Sequence, residues 1–352
     1  MKELTLQIKP VGNHCNLRCS YCYAMPFKSK RFQILDLNLL EKLIKEAFEI
    51  TNNVIVSWHG GEPTMAGLNY FKEYMNIINK YKKENQNIVN MIQTNATLID
   101  DELAQFFKEN DFIVSVSLDG DEKSHNKNRY NNAKVGSFNK TMEGVQILRK
   151  YGINPPVIAT VSQSTYEDGI RNFDFFVNSG FKEIKYSPVY DSCNDEFSIS
   201  NDKWSLYLKN ILYRWLEIQK PEIKVREIDE ILMWYAGKTA SLCANRGMCA
   251  KWISIDEKGD IYPCEYLRSS NSYGNIKNDS LKEVFKAHAY EDFKEKIMYK
   301  PKQCETCKLF TICHNGCPAT RVDNDKLTYK GVYVYCKQRK MLFDEIEKII
   351  NS

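Results

Sequence analysis

Cys15-Asn16-Leu17-Arg18-Cys19-Ser20-Tyr21-Cys22 is the stretch on which the reading of this chain turns. Its three cysteines are spaced C-x3-C-x2-C, just after an apolar run, Leu4-Thr5-Leu6-Gln7-Ile8. Three thiolates are one short of the four that ordinarily hold a [4Fe–4S] cluster. The stretch therefore reads as a cluster with three irons tied to protein and one iron open to an exogenous ligand. Two other readings use the same residues: a zinc knuckle short of one ligand, and a set of reactive thiols.

Working outward, the other cysteines fall in a second group. The chain has 12 cysteines in 352 residues. Eight of them are Cys243, Cys249, Cys264, Cys304, Cys307, Cys313, Cys317 and Cys336, the complement of two four-cysteine sites. Cys193 is left over. Cys304-x2-Cys307 alone is as zinc-like as it is cluster-like; beside the first loop, iron–sulfur is favoured. No secretion signal and no 18-residue apolar run is present, so a soluble, cytoplasmic protein is expected. There, many cysteines mean metal or redox chemistry rather than disulfides. A net charge of +4, from 49 basic and 45 acidic residues, is too balanced to suggest nucleic acid or a membrane as partner.

Strand-like runs at 4–9, 54–58, 89–94, 112–118, 157–162 and 184–189 alternate with helical patterns. Leu40, Leu43, Ile44, Ala47 and Phe48 form one apolar helix face, and Phe71, Tyr74, Met75 and Ile78 another. Six strands with five helices between them predict an α/β fold with a parallel sheet, open or rolled into a partial barrel. In both, chemistry sits beyond the C-terminal strand ends. The three cysteines, His59-Gly60-Gly61-Glu62-Pro63, Thr94-Asn95, and Ser117 with Asp119 and Gly120 all fall there. Residues 1–190 are read as this barrel and 191–241 as a helical bridge. Residues 242–336 are read as a cysteine-rich unit with a hairpin about Gly259 and a helix at 280–289. A terminal helix is expected at 341–350, within a segment 337–352.

These residues resemble a known superfamily. Cys15-x3-Cys19-x2-Cys22 with Tyr21 is similar to the radical SAM loop, and Gly60-Gly61-Glu62-Pro63 to its SAM-binding loop. Cys249-x9-Gly259-x4-Cys264, then Cys304-x2-Cys307-x5-Cys313-x3-Cys317 and Cys336, resemble the SPASM pattern. Residues 60–67, Ser117-Leu118-Asp119-Gly120, His125 and Arg129 look most like anaerobic sulfatase-maturating enzymes. The resemblance implies a partial (β/α)6 TIM-like barrel followed by a SPASM domain with two auxiliary clusters. It implies three [4Fe–4S] clusters and S-adenosyl-L-methionine (SAM) as cofactors. SAM would be cleaved to a 5′-deoxyadenosyl radical that takes hydrogen from a residue of a peptide or protein. A low-potential donor such as a flavodoxin or ferredoxin is the implied second partner. Cys243, Cys249, Cys264 and Cys317 would hold one auxiliary cluster, and Cys304, Cys307, Cys313 and Cys336 the other.

By the same resemblance, His59, the 60–63 backbone, Thr94 and Asn95 line the SAM site. Ser117 and Asp119 lie at the ribose and carboxylate side, and Tyr21 near the adenine. Three positions depart from the maturases: Glu265 stands for their Asp, the implied base; His59 for Gln; Ala24 for Tyr. Cys193 follows the sixth strand, where a thiol could return a hydrogen atom to a substrate radical. The leading expectation is oxidation of Cys or Ser to formylglycine. The alternatives are a ribosomal-peptide maturase making a cross-link, thioether or epimer, and a metal-binding module without turnover.

Overall fold

The computed structural model describes residues 1–27, 29–190, 196–238, 242–247, 249–267, 272–324 and 326–352; Cys193 lies outside the described residues. Six strands alternate with helices: β1 (Leu4–Ile8), β2 (Asn53–Trp58), β3 (Asn87–Thr94), β4 (Ile113–Ser117), β5 (Val157–Val161) and β6 (Glu183–Pro188). The helices are α1 (Leu37–Ile50), α2 (Leu68–Tyr81), α3 (Asp101–Glu109), α4 (Glu122–Asn128), α5 (Phe138–Lys150) and α6 (Gly169–Asn178). Every neighbouring pair from β1 to β6 is parallel. The spatial order follows the chain order without reversal. A doubly wound sheet reverses its order at a switch point, so this winding is that of a partial (β/α)6 barrel.

Local chemistry sets the elements. Asp36, Asp100 and Asp121 each accept a backbone N–H in the first turn of α1, α3 and α4. The α1 face of Leu40, Leu43, Ile44, Ala47 and Phe48 is buried as its spacing predicts. The helix α4 carries no apolar stripe (Glu122-Lys123-Ser124-His125-Asn126-Lys127-Asn128), so periodicity does not reveal it.

The sheet does not stop at the barrel. A hairpin of β8 (Trp252–Ile255) and β9 (Asp260–Tyr262) adds to the free edge of β1, with β8 parallel to it. At the opposite end β7 (Lys224–Val225) extends β6. A last short strand, β10 (Gly274–Asn275), pairs with β9. Thus β1 has partners on both edges, and all five of its residues are buried. The sheet is continuous between the barrel and the cysteine-rich unit.

Two expected helices differ. The 280–289 pattern is two helices, Leu281–Val284 and His288–Ile297, because Ala287 takes an extended conformation between them. The terminal helix spans Cys336–Asn351, five residues earlier than its apolar pattern suggests. Its apolar core contacts begin at Met341, while its first turn carries Cys336 and polar residues, so the stripe starts late. That helix packs on α7 (Asn201–Ile218), whose Trp204 and Tyr207 are core residues.

Candidate active site at the barrel rim

The loop after β1 and the loop after β2 touch through their backbones. Gly61 N–H donates to the Gly12 carbonyl and Glu62 N–H to the His14 carbonyl, each at 2.8 Å. Side chains would prevent this: a Cβ on Gly61 would lie 1.8 Å from the His14 oxygen, and Gly60 has φ +108°. No hydrogen bond from the described residues ends on the carbonyls of Gly60 or Gly61. Those acceptors suit a ligand's ammonium group.

Glu62 and Thr94 turn out to brace the loops. Glu62 is 1% exposed. Its Oε1 accepts from Thr64 N (3.1 Å), Thr64 Oγ1 (2.6 Å) and Thr94 Oγ1 (2.7 Å), and its Oε2 from Asn95 N (2.7 Å). One buried carboxylate therefore ties the β2 and β3 loops together. Burial raises its pKa, and these four bonds oppose the rise. Asn95 Nδ2 reaches the Asn16 Oδ1 at 2.9 Å and the Cys15 Sγ at 3.7 Å. Cys15 Sγ also accepts from Leu17 N at 3.3 Å.

The strand-four side is a buried polar knot. Asp119 accepts from the Tyr21 hydroxyl and from Thr160 N at 3.0 Å. Arg129 Nη1 donates to Tyr21 Oη at 2.9 Å and lies 3.8 Å from Asp119 Oδ1. The Tyr21 hydroxyl, expected near an adenine, is thus committed to Asp119 and Arg129. His125, fully buried and held neutral by burial, bonds Ser137 Oγ at 2.9 Å and faces the Asp119 N–H at 3.4 Å. Arg129 Nε is buried without a hydrogen-bond partner. A buried guanidinium N–H left unpaired beside the cysteine loop fits an anionic ligand group. The Ser117 hydroxyl accepts from Gln93 at 2.7 Å and keeps its own proton to give.

Burial pushes the Cys15 thiol up to about 12, with the Glu62 charge adding to it. It pushes Cys19 up to about 11 against the pull of Arg129, and raises Cys22 as well. Such thiols become thiolates only when a metal compensates the charge. Three thiols, two free carbonyls and an orphan guanidinium N–H together fit an open-iron cluster with a zwitterionic amino acid ligand.

Glu265 comes from the second unit into this rim. Its side chain is 1% exposed. Oε1 accepts from the Tyr23 hydroxyl and lies 3.2 Å from His59 Nδ1; Oε2 lies 3.7 Å from Lys9 Nζ. Despite its burial, His59, Lys9 and the Tyr23 hydroxyl hold its carboxyl down at about 2. Tyr23 stacks on Tyr266 at 4.4 Å, and Tyr266 is largely exposed. Lys9 and Tyr23 carry no local sequence signal of a site; only their flanking of β1 and of Cys22 hints at one.

In the second unit the thiols sort into two neighbourhoods. Cys243 acts electrostatically on Cys249, Cys264 and Cys317, whereas Cys304 is acted on by Cys307, Cys313 and Cys336. Among the described residues, no three His, Cys, Asp or Glu side chains converge on a single metal ion. Thiols grouped yet spread in this way suit a cubane of iron and sulfide better than one zinc. Among the described residues, no helix is long and apolar enough to cross a membrane.

Comparison with known proteins agrees. A family described as "Radical SAM superfamily" matches residues 10–168, and "Iron-sulfur cluster-binding domain" matches 243–308. A cysteine-type anaerobic sulfatase-maturating enzyme of Clostridium novyi is 30% identical, covering 98% of this chain and 96% of that one. A serine-type enzyme of Bacteroides thetaiotaomicron is 28% identical, covering 98% and 90%. The solved structure of native anSMEcpe with bound AdoMet superposes with a TM-score of 0.89 at 28% identity, covering 99% and 98%. Another of that protein, with AdoMet and the Cp18Cys peptide, also gives 0.89, at 27% identity over 100% and 99%.

Proposed function

The chain belongs to the anaerobic sulfatase-maturating enzymes of the radical SAM superfamily, and on that premise we propose that it oxidises a cysteine or serine of a peptide to formylglycine. Cys15, Cys19 and Cys22 would hold the first cluster. The Gly60 and Gly61 carbonyls would take the SAM ammonium and Arg129 its carboxylate. So loaded, the loop would supply hydrogen-atom abstraction from the substrate carbon.

The oxidation must still shed one proton and one electron; with a cysteine substrate water must then replace the sulfur, which leaves as hydrogen sulfide. A single juxtaposition carries the reading: Tyr23, next to Cys22, hydrogen-bonds Glu265, next to Cys264. A carboxylate thus stands between the radical-forming loop and a thiol of the second unit. Glu265 with His59 would take the proton. Cys243, Cys249, Cys264 and Cys317 would hold the group that takes the electron. A low-potential donor of flavodoxin or ferredoxin type would supply the electron that cleaves SAM.

The test uses anaerobically reconstituted protein, SAM, a reductant and two sulfatase-type peptides, one with Cys and one with Ser at the target. A serine product lighter by two hydrogens, or a cysteine product that has lost sulfur and two hydrogens and gained oxygen, supports the reading. A cross-linked product, or deuterium uptake without a change of covalent formula, overturns it.

A further inference from the structure

Arg321 is 2% exposed, yet among the described residues no carboxylate pairs with it. Its guanidinium donates to five carbonyls. Nε reaches Asn315 O (3.0 Å), Nη1 reaches Ile297 O (3.1 Å) and Tyr329 O (3.5 Å), and Nη2 reaches His314 O (3.2 Å) and Gly316 O (3.5 Å). Three of these carbonyls belong to the link between Cys313 and Cys317. That link is an unusual turn: His314, Asn315 and Gly316 all have positive φ, 48°, 61° and 59°. Two of the three are not glycine, so the conformation is strained and needs outside support. Asn315 supplies some of it, donating to Gly331 O and accepting from Tyr333 N.

Carbonyl dipoles solvate a guanidinium but leave its net charge. A buried net charge wants an anion nearby. The groups that act on Arg321 are Cys249 and Cys317 of one thiol set and Cys313 and Cys304 of the other. We propose that Arg321 is the shared counter-ion of the two auxiliary clusters, raising the reduction potential of both. The inference rests on the reading that these eight cysteines hold two clusters. A fixed positive charge stabilises the reduced, more negative state of each. It thereby favours receipt of the electron that substrate oxidation releases. Arg339 offers the contrast: it acts on Cys313 and Cys336, both in one set, and hydrogen-bonds Asn245.

The test is a spectroscopic redox titration of the whole reconstituted protein without substrate, so a failed peptide assay leaves it intact. In Arg321→Met both auxiliary midpoints should fall by at least a tenfold change in the one-electron equilibrium, about 59 mV. The first-loop cluster is the internal control and should not move. Arg321→Lys, which keeps the charge, should restore at least half the shift. Arg339→Met should lower only the cluster of Cys304, Cys307, Cys313 and Cys336. An unchanged auxiliary midpoint in loaded Arg321→Met, or equal shifts in the Met and Lys variants, overturns the proposal. If Arg321→Met fails to load, iron counting decides. Loading of the Lys variant alone supports a charge requirement; loss in both reduces Arg321 to a brace for the turn. Wild-type protein with iron for one cluster only also overturns it.

Discussion

The two cysteine regions solve the same problem in opposite ways. The first loop brings three thiols to the rim and surrounds them with side chains that hold one another. Glu62 spans two loops, Asn95 touches the Cys15 sulfur, and Asp119 ties Tyr21 to Arg129. Among the described residues the Gly60 and Gly61 carbonyls and Arg129 Nε have no hydrogen-bond partner. The second unit uses eight thiols, enough in number for two sets of four, with a strained turn and a buried cation beside them. An incomplete set invites substrate chemistry; a complete one is suited to passing electrons. Glu265 is where the two meet.

Replacing Cys15, Cys19 or Cys22 by Ala should cut SAM cleavage to background, while iron falls by one cluster's share. Cys264→Ala should keep SAM cleavage and lose peptide oxidation. The pair is read by 5′-deoxyadenosine, iron content and product mass. If Cys264→Ala also abolished 5′-deoxyadenosine, the division of labour would be wrong. The next effect lies at the junction. Glu265→Gln removes the carboxylate while keeping its size, and should slow product formation by about 100-fold, in the range of lost general-base catalysis. 5′-Deoxyadenosine should still form, so its ratio to product should rise. An unchanged ratio would remove Glu265 from the proton path.

Much of this was readable beforehand, and the reasons are physical. Beyond β1, which is buried throughout, the barrel strands largely alternate a buried residue with a half-buried or exposed one and stay rich in apolar residues, so the six show at nearly their true bounds. Cysteines are counted directly along the chain, but which of the second unit's eight lie together is not local: Cys317 neighbours Cys243, Cys249 and Cys264 from far upstream. The docking of β8 on β1 was not readable, because Ile253-Ser254-Ile255 says that a strand exists and nothing about whose edge it joins. Lys9, Tyr23 and Arg321 are single residues without a period. Lys9 and Tyr23 acquire their role from Glu265, far along the chain; Arg321 acquires its own from the nearby turn of His314, Asn315 and Gly316, whose left-handed backbone no periodicity announces. Glu62 shows the middle case. Its place in the loop is legible, while its bonds to Thr94 and Asn95 cross from one loop to another.

A smaller effect sharpens the first-loop half. Asn95 Nδ2 points at the Cys15 sulfur, and hydrogen bonds to ligand sulfur raise a cluster's potential. Asn95→Ala should lower the first cluster's midpoint by less than a tenfold equilibrium change, about 59 mV. Both auxiliary midpoints should stay put, the converse of the Arg321 pattern. A shift in all three clusters would mean that the regions are not independent.

The smallest effect belongs to neither region and checks that stability can be moved without touching either. Glu227 opens α8 (Arg226–Tyr235) and accepts from Tyr186 N of β6 at 3.2 and 3.3 Å. Burial pushes its carboxyl up from 4.5 to about 7. The sign follows from proton counting. Below the unfolded value of 4.5 both states are protonated and nothing is gained or lost. Between there and about 7 the unfolded chain releases a proton that the folded one keeps. The folded state binds more protons, so stability falls as pH rises through this window, then levels off. The full shift corresponds to about 3 kcal/mol, but Glu227 is only partly buried and solvent screens the charge, so about 1 kcal/mol is expected. Glu227→Gln keeps an acceptor for Tyr186 N and cannot ionise. It should raise the urea midpoint at pH 8.5, by much less at pH 5.5, and leave 5′-deoxyadenosine formation unchanged. Equal destabilisation at both pH values would mean that the charge itself holds β6 to α8.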